Sequence, residues 1–317
     1  MSHVLDRLAP GARVAVVRLR SLGDCVLTTP AIALLKQARP DLEIAVVAEA
    51  AFAPIFAGNP DVARILAPRA AEIARWRPQL TLNLHGGATS VRLTLASAAR
   101  LRAGFAHFRF QPVYNLRIRR AQEILGVDRK VHTAEHLASA MFYLGVPRTE
   151  IPRARLFATP QPRPRPFAVL HPMASAPDKT WPAANFLAVA EHLDRQLGLE
   201  PIFIAGPGES LASFDRYPCL AGASLEDLKA LLAGATLFIG NDSGPAHMAA
   251  AFGLPVVVLF GNSDREIWSP WRTASVVLTS PNGIGSIGVS EVLQAATSHQ
   301  PLATSHRPLA AGHRPPQ

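Results

Sequence analysis

The sequence predicts an α/β protein made of two parallel-sheet domains, and three observations carry that reading. The chain has 317 residues, roughly twice an ordinary domain. Short β-branched runs alternate with Leu/Ala-rich helical stretches in both halves. A proline-rich break, TPQPRPRP, separates the halves. With 49% of residues hydrophobic and 17% charged, there is enough apolar material for sizeable cores, which argues against wholesale disorder.

The first half opens with RVAVVRL over 13–19, a short β-branched run that reads as a buried parallel strand. The turn RSLGD follows, then a helix ending near Arg39-Pro40. Strands are expected at 42–48 and 80–84, the second running into His85-Gly-Gly87. Strand, helix and strand in this order point to right-handed crossovers. Residues 159–166 alternate proline with polar residues and read as an extended, semi-rigid linker between domains at 1–158 and 167–296. In the second domain strands are expected at 167–170, 201–205, 236–240 and 256–260. Helices are expected at 183–197, 225–233 and 245–252, with a brief last one near 290–296. The tail, 297–317, repeats a His/Pro motif every seven residues and is expected to be disordered.

Charge is segregated. Of the net +9, residues 1–160 carry 22 Lys/Arg against 11 Asp/Glu, whereas residues 161–317 carry 10 against 12. Between Gly86 and Gln122 stand seven arginines and no acidic residue. Such a field attracts anions, although a solvated arginine face would look the same. No aromatic-rich basic motif supports nucleic-acid binding. Two cysteines, Cys25 and Cys219, cannot form a disulfide framework, and Cys25 reads as a packed helix residue. The longest apolar stretch, 246–260, is interrupted by His247 and Pro255 and is too short to span a bilayer. A soluble cytoplasmic protein is the expectation.

Candidate site residues sit on the turns that follow strands, the edge where open parallel sheets bind ligands. Asp24 is placed either to accept a proton from a hydroxyl or to cap the following helix. Lys179, in HPMASAPDKTWP, suits a diphosphate or is a surface lysine. In Gly206-Pro-Gly-Glu209 the glycines need be no more than a turn, while Glu209 could grip ribose hydroxyls. The sharpest segment is GNDSGPAHMAA from Gly240. Free amides at Ser243 and Gly244 and a helix opened by Pro245 form an anion site. There Asp242 could cap, and His247 either donates to a phosphate or packs in the core. No D-x-D pair, no Walker phosphate loop, no G-x-G-x-x-G after the first strand, no G-x-S-x-G elbow and no zinc spacing outside the tail is present.

Together these stretches resemble glycosyltransferase family 9, the ADP-heptose:lipopolysaccharide heptosyltransferases. VVRLRSLGDCVLTTPAIALLKQARPDLEI, LNLHGGATSVRL with RAGF, HPMASAPDKTWPAANF, AGPGE and LLAGATLFIGNDSGPAHMAAAFGLPVVVLFGNSD occur in the family's order over about 12–296. The resemblance implies a GT-B fold, two Rossmann-like domains with parallel sheets facing across a cleft. The first would hold the acceptor and the second the nucleotide sugar. It implies inverting transfer of a heptose-like sugar from ADP to a lipopolysaccharide-core or related acceptor, with no cofactor and no metal. Asp24 falls on the general-base position, Lys179 on the diphosphate lysine and Glu209 on the ribose contact. Asp242, Ser243, Gly244 and His247 fall on the diphosphate and sugar block, and Ser175 on a phosphate-contacting loop. Arg18, Ser21, Gly23, Arg92 and Arg120 are acceptor-side candidates. An anionic glycolipid acceptor and peripheral contact with the inner face of the membrane fit the basic first half. A nucleotide-sugar epimerase or a non-catalytic nucleotide-sugar-binding protein on the same scaffold are the competing readings.

Overall fold

The computed structural model describes residues 4–298. In the first half β1 (Arg13–Val17), α1 (Leu22–Ala38), β2 (Glu43–Val47), β3 (Arg64–Leu66), α2 (Ala70–Trp76) and β4 (Leu80–Asn83) come first. They are followed by α3 (Ala88–Ala96), β5 (Leu101–Phe105), β6 (Leu116–Ile118), α4 (Ala121–Leu125) and α5 (Thr133–Leu144). The second half runs β7 (Phe167–His171), α6 (Ala183–Leu197), β8 (Glu200–Ala205), β9 (Cys219–Ala221), α7 (Leu225–Gly234) and β10 (Leu237–Asn241). It ends with α8 (Gly244–Phe252), β11 (Val256–Phe260), α9 (Arg265–Trp268), β12 (Ser275–Thr279) and α10 (Val289–Ser298). Residues 299–317 of the expected tail lie outside the described residues, while Thr297 and Ser298 close α10 rather than beginning a tail.

Each half is one six-stranded sheet, ordered β3-β2-β1-β4-β5-β6 and β12-β11-β10-β7-β8-β9. All pairings are parallel. Counted within its own half, the second sheet repeats the doubly wound order of the first. In such a sheet the strand order reverses beside the first strand, and the crevice opens there at the carboxyl ends. For these sheets that places crevices between β1 and β4 and between β7 and β10.

The helix α1 explains how the halves meet. Residues Cys25 to Ile32 are all buried, and a helix apolar on every side must be covered on every side. It packs on α5 in its own half and on α8 of the other. One continuous apolar cluster therefore runs from Val14 and Val16 through α1 to Met248, Val256 and Phe260. Pro30 in mid-helix cannot donate to the Val26 carbonyl; the Thr29 hydroxyl donates to it instead, at 2.8 Å. The same hydroxyl accepts from the Arg155 amide at 3.1 Å, fastening the chain that crosses between the halves. That crossing strip is packed well before the proline run, with Ile151, Ala154 and Leu156 buried. Cys25 is packed as expected, and burial pushes its thiol up to about 12. The last helix packs on α6 and β11 of the second half.

Candidate active site

At the first crevice Arg18 follows β1 into the interior, with only 5% of its surface exposed. Its Nη1 lies 3.7 Å from Asp24 Oδ1, and its buried Nε has no partner. Burial holds its pKa below the ordinary arginine value against the opposing pull of Asp24. Asp24 does not cap α1. The cap position belongs to Ser21, because the helix begins at Leu22 and puts Asp24 at its third residue. The Ser21 hydroxyl donates to Asp24 Oδ2 at 3.1 Å instead of accepting from a backbone amide. The carboxylate is thus half-buried and held from two sides.

Two imidazoles that no local pattern groups with it feel its charge. His85 follows β4, its amide donating to Asn83 Oδ1 at 3.0 Å and its buried Nδ1 unpartnered. Burial, then the charges of Arg18 and Arg20, lower its pKa. His136 of α5 stacks on Phe105 at 4.1 Å between ring centres, and its pKa falls to about 4, chiefly by burial. It lines a groove of about 900 Å3 with His107, Arg120, Arg129 and Lys130. Arg120 thus shares a groove with His136, which in turn feels the charges of Arg18 and Asp24. Arg92 sits exposed on α3, and among the described residues no hydrogen bond, ion pair or ring contact links it to that cluster.

The second crevice is more tightly made. Asn241, fully buried at the end of β10, donates from Nδ2 to the Pro172 carbonyl at 2.9 Å and accepts at Oδ1 from the Trp181 amide at 3.2 Å. It pins both ends of the loop that carries Ser175 and Lys179. His171 at the end of β7 has its Nδ1 3.0 Å from Ser243 Oγ, and burial lowers its pKa to about 4. Asp242 does not cap α8 either. Ser243 holds the cap position, while Asp242 donates its amide to the Leu259 carbonyl at 3.0 Å. Burial raises the Asp242 carboxyl pKa, moderated by a bond from Ser263 and by nearby Lys179. Pro245 is the second helical residue, where a missing N–H still breaks no helical bond. Lys179 is half-buried at the end of the single turn Pro177–Lys179. Gly261 lies against that turn, and a Cβ there would stand 2.2 Å from the Asp178 carbonyl oxygen. Ser175 is exposed on the rim of an open depression of about 510 Å3. Glu209, after β8, is exposed, and its Oε2 accepts from the Gly206 amide at 2.6 Å.

The two crevices are brought together by glycines. A Cβ on Gly23 would stand 2.8 Å from His247 Cδ2, and one on Gly244 would stand 2.6 Å from Leu22 Cδ2. Only residues without side chains let the first turns of α1 and α8 touch. Two helix starts, each with free amides and a positive dipole end, therefore converge beside Asp24. His247 is packed inside this seam, and its pKa falls to about 4 by burial and then by the charge of His132. Its Nδ1 is buried without a partner.

Ties that sequence patterns do not reveal hold the halves in place. His132 accepts from the Ala134 amide at Nδ1, which leaves Nε2 as the donor to the Ser269 carbonyl at 2.8 Å, and Trp271 stacks on its ring. Lys130 pairs with Asp264 at 2.7 Å. The Lys229 ammonium, on α7, donates to the carbonyls of Pro54 and Ala57 at 2.6 and 3.0 Å. Among the described residues no group of three or more His, Cys, Asp or Glu side chains could hold a metal ion.

Two doubly wound sheets joined through their switch-point helices define the GT-B architecture. Residues 75–286 match the model of glycosyltransferase family 9 (heptosyltransferase), and the chain belongs to that family. It is 37% identical over 116 residues to lipopolysaccharide heptosyltransferase 3 of Escherichia coli, a match covering 33% of this chain and 34% of that protein. The chain thus spans about a third of the length of the heptosyltransferase 3 sequences it matches. It is 25% identical over 299 residues to lipopolysaccharide heptosyltransferase 1 of Salmonella typhimurium, covering 85% of this chain and 94% of that one. Its fold is shared with a family 9 glycosyltransferase from Veillonella parvula (TM-score 0.80, 23% identity, 90% of this chain and 96% of that one). It is shared too with the E. coli heptosyltransferase WaaC bound to ADP (TM-score 0.76, 20% identity, 90% and 99%).

Proposed function

We propose that this protein is an inverting, metal-independent glycosyltransferase that moves a heptose from ADP-heptose to a lipopolysaccharide-core or related saccharide acceptor. The observation that carries the reading is the seam: Gly23 pressed on His247 puts the Asp24 carboxylate next to the start of α8. In one displacement, Asp24 takes the proton of the acceptor hydroxyl while that oxygen forms a bond to the sugar's C1. The bond from C1 to the diphosphate oxygen breaks on the opposite face, so the anomeric configuration inverts, and the electron pair leaves on ADP. Lys179 and the amides of Ser243 and Gly244 meet the growing charge, which is the part a metal would otherwise play. Asp242, His247 and Ser175 border the sugar and diphosphate, Glu209 takes the ribose hydroxyls, and Ser21, Arg18 and Arg120 line the acceptor side. The donor assignment is supported by the likeness to WaaC, which has been seen with ADP and with ADP-2-deoxy-2-fluoro heptose.

The acceptor is an anionic glycolipid, and the protein works as a peripheral protein on the cytoplasmic face of the inner membrane. No helix of the described residues is long and apolar enough to cross a membrane.

Asp24→Asn tests the mechanism. Turnover falls by about 100-fold or more while ADP still raises the melting temperature; full activity in this variant removes Asp24 as the base. Transfer that stops in EDTA removes metal independence. Stabilisation by UDP or GDP above that by ADP replaces the donor base.

A further inference from the structure

Two large hydrophobic side chains stand out among the described residues as exposed, Leu95 at 53% and Phe110 at 38%. Both fall in the stretch that carries arginines and no carboxylate. Between Arg69 and Arg120 ten arginines face a single acidic residue, Glu72, whose Oε2 accepts from the Ala67 amide.

The fold puts Leu95 and Phe110 on one side with Arg92, Arg109 and Arg117. Exposed positions on α3 are Ala88, Thr89, Arg92 and Leu95, a stripe at helical spacing. The helix packs on the short turn Gln111–Val113, which Phe110 immediately precedes. The Arg109 guanidinium lies 5.8 Å from the Phe110 ring centre. On β6, Ile118 points into the cluster shared with α1 and α5, so Arg117 points to the opposite face, the one covered by α3. Beneath this surface the scaffold is fixed. Asn83 Nδ2 lies 3.0, 3.2 and 2.9 Å from Ser90 Oγ, Thr94 Oγ1 and Tyr114 OH.

We propose that this face is where the protein settles on an anionic lipid bilayer. Leu95 and Phe110 enter the headgroup layer, and Arg92, Arg109 and Arg117 pair with lipid phosphates. The inference rests on the peripheral contact offered above and gives it a surface; Arg92, which no contact ties to the Asp24 cluster, belongs to the bilayer on this reading. Charge complementarity selects the occupant, since the stretch that forms this surface carries arginines and no carboxylate around exposed apolar side chains. Two exposed apolar side chains are far short of the ~800 Å2 per partner that a stable protein interface buries. Reversible membrane binding needs an apolar anchor together with a basic patch, and both are present.

The test uses full-length protein sedimented with vesicles of phosphatidylglycerol and phosphatidylethanolamine, or of phosphatidylcholine alone. Wild type is expected to partition onto the first set and not the second, with binding falling as salt rises. Leu95→Ser with Phe110→Ser is expected to weaken partition about tenfold, with melting temperature and ADP binding unchanged. Arg109→Gln with Arg117→Gln is expected to weaken it by roughly fivefold per arginine, and Arg216→Gln in the second half to leave it alone. Failure of wild type to bind anionic vesicles removes the peripheral contact altogether. Wild-type binding that both pairs of substitutions leave intact removes this surface and spares the contact. Equal binding to both vesicle types, or loss in Arg216→Gln as large as in the arginine pair, also overturns it. Heptose transfer to a soluble acceptor, measured separately, stays intact in Leu95→Ser with Phe110→Ser.

Discussion

After β10, Asn241 uses both ends of its amide, His171 meets Ser243, and Asp242 meets Ser263. After β1 and β4, Arg18 reaches Asp24 only at 3.7 Å, and Arg18 Nε and His85 Nδ1 are buried with nothing to bond. Both regions occupy the same position in the same sheet topology. The second crevice is preorganised: apart from His247 Nδ1 in the seam, its buried polar groups are already paired, so the chain itself fixes the loop geometry. The first keeps two buried polar atoms free, an arrangement that costs stability and is met where a bound group completes the bonds. Rigidity in one half and unmet hydrogen-bonding capacity in the other fit a pocket built in advance facing a partner that arrives later.

Acid breaks both regions and should have the largest effect. His136, His171 and His247 have folded pKa values of about 4, below the ordinary 6.5. Each therefore binds its proton more readily in the unfolded chain. Their contribution to stability is complete above pH 6.5 and is lost as pH falls towards 4, at about 1 kcal/mol per pH unit for each. Urea midpoints should drop steeply between pH 6.5 and 4.5, and a flat profile contradicts the neutral buried imidazoles. Next comes Asn241→Leu, which strands the Trp181 amide and the Pro172 carbonyl. A loss of roughly 2–5 kcal/mol is expected from denaturation curves.

Gly23→Ala should cost less, about 1–3 kcal/mol, because the obstacle is a histidine ring edge and not backbone. Calorimetric ADP affinity is expected to fall with it. Smallest in stability is Arg18→Met, within about 1 kcal/mol of wild type, since it takes away a buried charge whose partner lies 3.7 Å off, while Asp24, a quarter exposed, keeps water and the Ser21 hydroxyl. Turnover should nevertheless fall roughly 10- to 100-fold as Asp24 loses one of its two restraints, with partial return in Arg18→Lys. A stability loss in Arg18→Met as large as in Asn241→Leu would erase the contrast between the crevices.

Elements with a continuous apolar run or a distinctive start were legible in the chain: β1 and its turn, α6 to the residue, β11, and the loop into α8. Strands β3, β5, β6 and β9 have no such run, and β12 has only Val276-Val277-Leu278. In β5 the pleat puts Arg102 and Gly104 on one face, Arg102 bonding the Val113 and Ala99 carbonyls and Gly104 making room for Tyr114. The capping readings of Asp24 and Asp242 failed for a shared reason: in each case a serine holds the cap and leaves the carboxylate free for a side-chain partner. Asn241 and His171 lay within or beside recognised segments. Their pairing with Trp181 and Ser243 depends on β7 lying beside β10, which no local pattern states. His85 and His136 approach Asp24 from β4 and α5 for the same reason.

The absent side chain at residue 23 sets a rule for recombining this protein with its relatives. A chimera that keeps the leading half and takes the trailing half from elsewhere must bring an imidazole, or something slimmer, to position 247. Anything broader would wedge the two helix starts apart and separate the proton acceptor from the leaving group, even with each half correctly folded.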